Sequence, residues 1–122
     1  MLKQNYPRLW DWAQERPPLP LSQFIAAPMK IGFYEIGFFT NGVFEAKYAG
    51  RAKGVTLQQR LGQHFRHSHN DKVRRHRGSA YFRCKVLASE ELAAYVEAVS
   101  IAALEYDWNR RNEWGQHWIL ES

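Results

Sequence analysis

The chain is 122 residues long with 45% hydrophobic and 15% aromatic residues, enough to build a core, which excludes the disordered class. Seventeen Lys and Arg against twelve Asp and Glu leave a net charge of +5, a balance that suits a nucleic-acid partner. No apolar run approaches the ~18 residues of a spanning helix, no basic-then-apolar leader opens the chain, and the single cysteine, Cys84, excludes an internal disulfide, so the expectation is one cytoplasmic domain with no membrane partner.

Residues 1–29 hold all five prolines. They read as an N-terminal arm, extended apart from a short helix over 8–16 and packed on a domain spanning 30–122. The run IGFYEIGFF over 31–39 has buried-strand composition, Thr40-Asn41-Gly42 supplies an Asn-Gly turn, and 43–50 returns as the second arm of a hairpin. Alternation puts Tyr34, Ile36 and Phe38 on one face, and Phe44, Ala46 and Tyr48 on one face of the return strand. Thr56 with Gln59 forms a capping box that opens a helix over LQQRLGQHFRH, with Arg60, His64 and His67 on one face and Leu57, Leu61 and Phe65 on another. Residues 68–79 read as a polar, basic loop. A third strand follows over 80–87, with Ala80, Phe82, Cys84 and Val86 inward and Arg83 and Lys85 outward.

Ser89 caps a last helix whose first turn carries Glu90 and Glu91. Leu92, Val96, Val99 and Ala103 make one apolar stripe of that helix, and Ala93, Ile101 and Leu104 a second that encloses Glu97. A carboxylate so placed needs a cation, a metal ion or hydrogen-bond donors, because an unpaired buried charge costs several kcal/mol. An ion pair with an arginine is the plainer of these. The fold class expected is α+β: a small antiparallel or mixed three-stranded sheet flanked by helices in the order β-β-α-β-α, with the Pro-rich arm added.

Charge is uneven along the chain. Residues 1–59 carry seven basic and four acidic groups, 60–85 eight and one, and 86–122 two and seven. The middle block also holds His64, His67, His69 and His76, which makes it a candidate footprint for a phosphate backbone beside the plainer reading of a solvated basic loop.

Taken in order, a G-x-Y on the first strand (Gly32, Tyr34), a Y-x-G ending the second (Tyr48, Gly50), an R-x-x-x-H on a helix (Arg60, His64) and a helix glutamate followed twelve residues later by an asparagine (Glu97, Asn109) resemble the GIY-YIG nuclease family over residues 30–112. The motifs read GFY and YAG, differing from the family pattern in the small middle residue. The resemblance implies a standalone single-domain endonuclease that hydrolyses DNA phosphodiester bonds by a one-metal mechanism, with one Mg²⁺ or Mn²⁺ held by Glu97 as the sole protein ligand. Arg60 would contact the scissile phosphate, Tyr34 would act as general base, His64 would orient it or relay its proton, and Tyr48 would position water or phosphate. Arg51, Lys53 and His64 would lower the tyrosine pKa. Asn109 would tie the helix end to the hairpin or touch the phosphate, with Asn112 a second candidate.

Arg51, Lys53, Arg66, Arg74, Arg75, Arg77 and Arg83 are candidate DNA contacts, with Tyr81 available for stacking, whereas Trp10, Trp12, Trp108, Trp114 and Trp118 read as packing residues. Two rivals stand beside this reading. A non-catalytic nucleic-acid-binding module would use the basic 60–85 segment equally well, but it leaves Glu97 unexplained. A zinc protein built on His64, His67, His69, His76 or Cys84 lacks a recognisable ligand spacing. Whether the DNA is duplex, branched or single-stranded stays open, and specificity is expected from the 68–79 loop, the arm, a homodimer or a partner protein.

Overall fold

The structure is a computed structural model that describes residues 9–109, so Asn112, Trp114, Trp118 and the start of the arm lie outside the described residues. The arm is mostly extended, as its prolines require. In place of a helix over 8–16 there is a single 3-10 turn, Trp12–Gln14, capped by Asp11. A two-residue strand follows (β1, Leu19–Pro20), then a 3-10 stretch, Leu21–Ala26.

The hairpin forms as its Asn-Gly turn predicts: β2 (Gly32–Thr40) and β3 (Val43–Arg51) are joined by Asn41 and Gly42, both at positive φ (52° and 79°), as a tight right-twisting hairpin needs. Alternation fails at one point. Ile36 pairs with Tyr48 but Gly37 pairs with Ala46, so Lys47 is an extra, bulged residue. The bulge turns Tyr48 toward Tyr34 and Ile36 and sends Ala46 to the other face with Phe33 and Ala49. A β-carbon on Gly37 would stand 1.9 Å from the Glu45 carbonyl, so the strands close there only around glycine.

Helix α1 (Leu57–His67) opens on the predicted capping box, with both Thr56–Gln59 contacts made. The segment expected to be a loop contains a short helix, α2 (Asp71–His76). Its backbone donors are capped by Asn70, and Val73, fully buried, anchors it. Strand β4 (Tyr81–Val86) pairs with β2, and β1 from the arm pairs with β4 at the sheet edge. The sheet is therefore antiparallel with four strands in the order β1-β4-β2-β3, not three. Pro20 can sit in an edge strand because it has no N–H to leave unpaired in a ladder.

Helix α3 (Glu90–Ala103) begins at the Ser89 cap and covers one sheet face; α1 and the 3-10 stretch cover the other. Its buried residues are Ala93, Val96, Ser100 and Ile101, whereas Leu92, assigned to the apolar stripe, is 40% exposed. Two covered faces also change the account of β4. Arg83 and Lys85 do not point into solvent; the arm lies over them, with Lys85 Nζ 2.7 Å from Glu15 and the Arg83 guanidinium over the Trp12 ring. Among the described residues, no helix is long and apolar enough to cross a membrane.

Candidate active site

Tyr34 is the third residue of β2, between Gly50 on one neighbouring strand and Cys84 on the other, with 2% of its surface exposed. Its hydroxyl meets His64 Nε2 at 2.7 Å. Sequence periodicity set His64 apart from Leu57 and Leu61, but positions 57, 61 and 64 are spaced i, i+4, i+7 and form one stripe, and all three are buried against the sheet. The His64 ring stands edge-on to Tyr34 and Tyr48, with centroids 5.4 and 5.2 Å away. On its other side Nδ1 lies 2.8 Å from Ser68 Oγ, which accepts a hydrogen bond from the Asn70 N–H.

Burial sets the protonation states. It pushes the His64 imidazole down to about 3, with smaller electrostatic contributions from the neighbouring His69 and Arg60, so the ring is neutral and one nitrogen keeps a free lone pair. Burial also pushes Tyr48 up to about 12, and the charge of Glu97 adds to this. Tyr34 is raised well above the usual phenol range by its burial and by Tyr48. Neither phenol is ionised at neutral pH in this state.

Glu97 reaches this cluster from α3 on the far side of β3. Its Oε1 accepts a hydrogen bond from Arg51 Nε at 2.9 Å, and Oε2 accepts none among the described residues. Burial raises the carboxyl above its ordinary value while the Arg51 hydrogen bond and charge oppose the rise. Arg60 lies within electrostatic reach of Tyr34, Tyr48 and Glu97. It donates to Lys53 O at 3.4 Å, and its Nε is buried without a partner among the described residues. Asn109 holds the frame: its Oδ1 accepts from Ala49 N–H at 2.9 Å and its Nδ2 donates to Ala49 O at 3.0 Å, like an added residue of a strand. Tyr34, Tyr48, Arg51, Arg60, His64 and Glu97 thus converge, with Asn109 behind them on β3.

The other arginines are spread out. Arg77 Nη1 donates to the Phe65 and Arg66 carbonyls at the end of α1, and Arg74 Nη1 donates to Ser68 O at 2.8 Å while its Nη2 pairs with Asp71. Arg83 lies on the opposite sheet face from Tyr34, paired with the buried Glu35, whose second oxygen accepts from the Tyr106 hydroxyl. Lys53, Arg66 and Arg75 are exposed, with the Arg66 guanidinium over the Phe24 ring. A cleft of about 250 Å³ opens beside His64, lined by Arg60, Gln63, Arg66, His67, Ser68 and His69 and by no carboxylate. Ser68 was not singled out from sequence, although a hydroxyl four residues after a helical histidine is a readable signal. Glu35 carries a signal of the same kind, since a charge inside an apolar strand poses the question that Glu97 poses on its helix. Among the described residues, no three of His, Cys, Asp and Glu are grouped as a metal site.

The same fold occurs in the GIY-YIG N-terminal endonuclease domain of UvrC from Thermotoga maritima bound to its catalytic divalent cation, magnesium. That domain is 27% identical, with 72% of this chain and 92% of that chain covered and a TM-score of 0.56. This chain has the GIY-YIG nuclease fold. A Tyr-to-Phe point mutant of the same domain, also bound to its catalytic divalent cation, is 28% identical over 72% of this chain and 91% of that one, with a TM-score of 0.55. No family model matches the chain, and no curated protein matches it.

Both glycines of the GIY-YIG motifs have a steric reason here. A β-carbon on Gly50 would stand 2.4 Å from the Tyr34 hydroxyl, and one on Gly32 would stand 2.2 Å from the Lys85 carbonyl and 2.8 Å from Leu57 Cδ1. The first clears the space in which Tyr34 meets His64. The second lets β2, β4 and α1 close on one another.

Proposed function

We propose that this protein is a divalent-cation-dependent endonuclease that cuts DNA phosphodiester bonds. The observation that carries this is the convergence of two buried tyrosines, a neutral histidine, an arginine whose Nε has no partner among the described residues and a partly buried carboxylate in a fold shared with a cation-bound endonuclease domain.

Glu97 suits a hard cation. Among the described residues one of its oxygens accepts no hydrogen bond, and Mg²⁺ keeps most of its waters and takes few protein ligands, which supports one ion per site. Bound there, the cation would neutralise charge developing on the phosphoryl oxygens and the leaving oxygen. Arg60 adds a fork of donors for the scissile phosphate.

The tyrosine base follows from the hydrogen-bond chain. A standing tyrosinate at position 34 is disfavoured by burial, but its oxygen can accept a proton from water as its own proton passes to His64 Nε2, and because burial holds the imidazole neutral that proton moves on to the leaving oxygen or to solvent and does not stay there. The chain runs in that direction when His64 Nδ1–H donates to Ser68 Oγ. Tyr48 orients water or phosphate from the neighbouring strand. Arg51, Lys53, Arg66 and Arg75 are the DNA contacts on this reading. Arg74 and Arg77 are committed to the junction of α1 and α2, and Arg83 to the other face.

The test is cleavage of plasmid and single-stranded DNA with Mg²⁺ or Mn²⁺ by wild type and Glu97→Gln in parallel. Wild type should cut only with the cation, and the Gln variant should lose about 10²-fold or more while still binding DNA. DNA binding with no cation-dependent cutting by wild type would leave a binding module.

A further inference from the structure

We propose that Arg51 is an internal competitor of the cation at Glu97, occupying the carboxylate while the cation is absent and turning to a DNA phosphate when the cation takes its place. This rests on Glu97 being the cation's ligand. The one hydrogen bond that the Glu97 carboxylate accepts among the described residues comes from a positively charged side chain, Arg51 Nε on Oε1 at 2.9 Å, with the two side chains 21% and 29% exposed. A divalent cation binds a carboxylate oxygen at just over 2 Å, so a cation and a guanidinium on one carboxylate bring like charges together in a partly desolvated space, and each weakens the hold of the other.

The backbone of Arg51 is fixed. It pairs with Phe33 as the last residue of β3, and the next N–H, that of Ala52, donates to the Gly32 carbonyl. Only the side chain is free to yield. It leaves from the strand that carries Tyr48, near Lys53 and Arg60, whose charges would draw a phosphodiester to the same place. The pair has two effects. It keeps Glu97 satisfied and ordered without a cation, and it lowers intrinsic cation affinity until DNA offers the guanidinium another partner. Cation and DNA affinities are then coupled, and the coupling must be reciprocal.

The experiment is titration calorimetry of Mn²⁺ into DNA-free protein, comparing wild type, Arg51→Gln, Arg51→Lys and Glu97→Gln. Arg51→Gln should bind Mn²⁺ more tightly, by about 5-fold or more. Arg51→Lys, which keeps the competing charge, should stay within about twofold of wild type. The predicted direction is a gain, which a misfolded variant or a merely structural arginine does not produce. Unchanged or weaker Mn²⁺ binding by Arg51→Gln, with binding abolished in Glu97→Gln, would overturn the competitor and leave Glu97 as the ligand. Wild-type Mn²⁺ binding by Glu97→Gln would instead remove the cation reading itself, and the competitor with it.

Discussion

His64 titrates near 3 in the folded chain, while an unfolded histidine titrates near 6.5. Between those values the unfolded state holds the proton and the folded state does not, so stability rises with pH across the window and is lost as pH falls through it. Between pH 7 and 5.5 the loss should be roughly 1 kcal/mol. Urea unfolding at the two pH values should show a fall larger by that amount in wild type than in His64→Gln; equal falls would mean that the imidazole is not held neutral. Gly50 makes a second prediction. Its replacement by Ala puts a methyl where the Tyr34 hydroxyl lies, and the strand partner of Tyr34 must move to admit it. Gly50→Ala should therefore lose about 10²-fold in cleavage, the usual contribution of a positioned acid or base, while the chain stays folded by circular dichroism.

At the scale of elements, the α1 and β3 side chains proposed for catalysis are held by contacts from outside their own elements. Helix α1 is tied at its start by the capping box and by Leu57 N–H on the Lys30 carbonyl, and at its end by Arg77 on its last carbonyls. Among the described residues, strand β3 has no neighbouring strand on its outer edge. The segment after α3 takes that place: Trp108 N–H donates to Lys47 O, and Asn109 makes both contacts to Ala49. Asn109→Ala removes two hydrogen bonds from a half-buried strand and should cost about 1–3 kcal/mol. Because Tyr48 and Arg51 flank the clamped residue, cleavage should fall along with the denaturation midpoint, and amide exchange at Ala49 should quicken. A variant with protected Ala49 and full activity would show that the clamp is dispensable.

Across the whole molecule, positive charge is divided by the sheet into two uses. On one side it serves the tyrosine cleft, and on the other Arg83 neutralises the buried Glu35 beside Tyr106 and lies over Trp12 and Phe44. Removing one partner of such a pair leaves the other uncompensated, so Arg83→Ala should destabilise the fold by about 3–5 kcal/mol. In the Glu97→Gln background, under conditions where both proteins remain folded, it should leave the salt dependence of DNA binding unchanged. Neutralising Arg66 and Arg75 should do the reverse, leaving stability within about 0.5 kcal/mol while the slope of log affinity against log salt falls by roughly 0.7–0.9 per contact. An unchanged slope would point to another surface as the DNA face.

What the sequence determined by itself is local or ordered along the chain. The capping box at Thr56, the Asn-Gly turn, the Ser89 cap and the β-β-α-β-α order each follow from residues within a few positions of one another, where backbone sterics and hydrogen bonding leave little choice. The candidate set Tyr34, Tyr48, Arg60, His64, Glu97 and Asn109 was legible differently, as an order of short motifs that resembles a family. Tertiary structure decided which charges are used for what, since that depends on contacts between residues far apart in sequence. The Lys47 bulge reversed the face of half a strand, β1 added an edge that no local pattern announces, and burial on both sides of β4 turned an outward Arg83 into the partner of Glu35. Glu97 and Arg51, 46 positions apart, became a pair only when α3 packed against β3. A sequence shows that a carboxylate among apolar neighbours needs a partner. Only the packing chooses which one stands there.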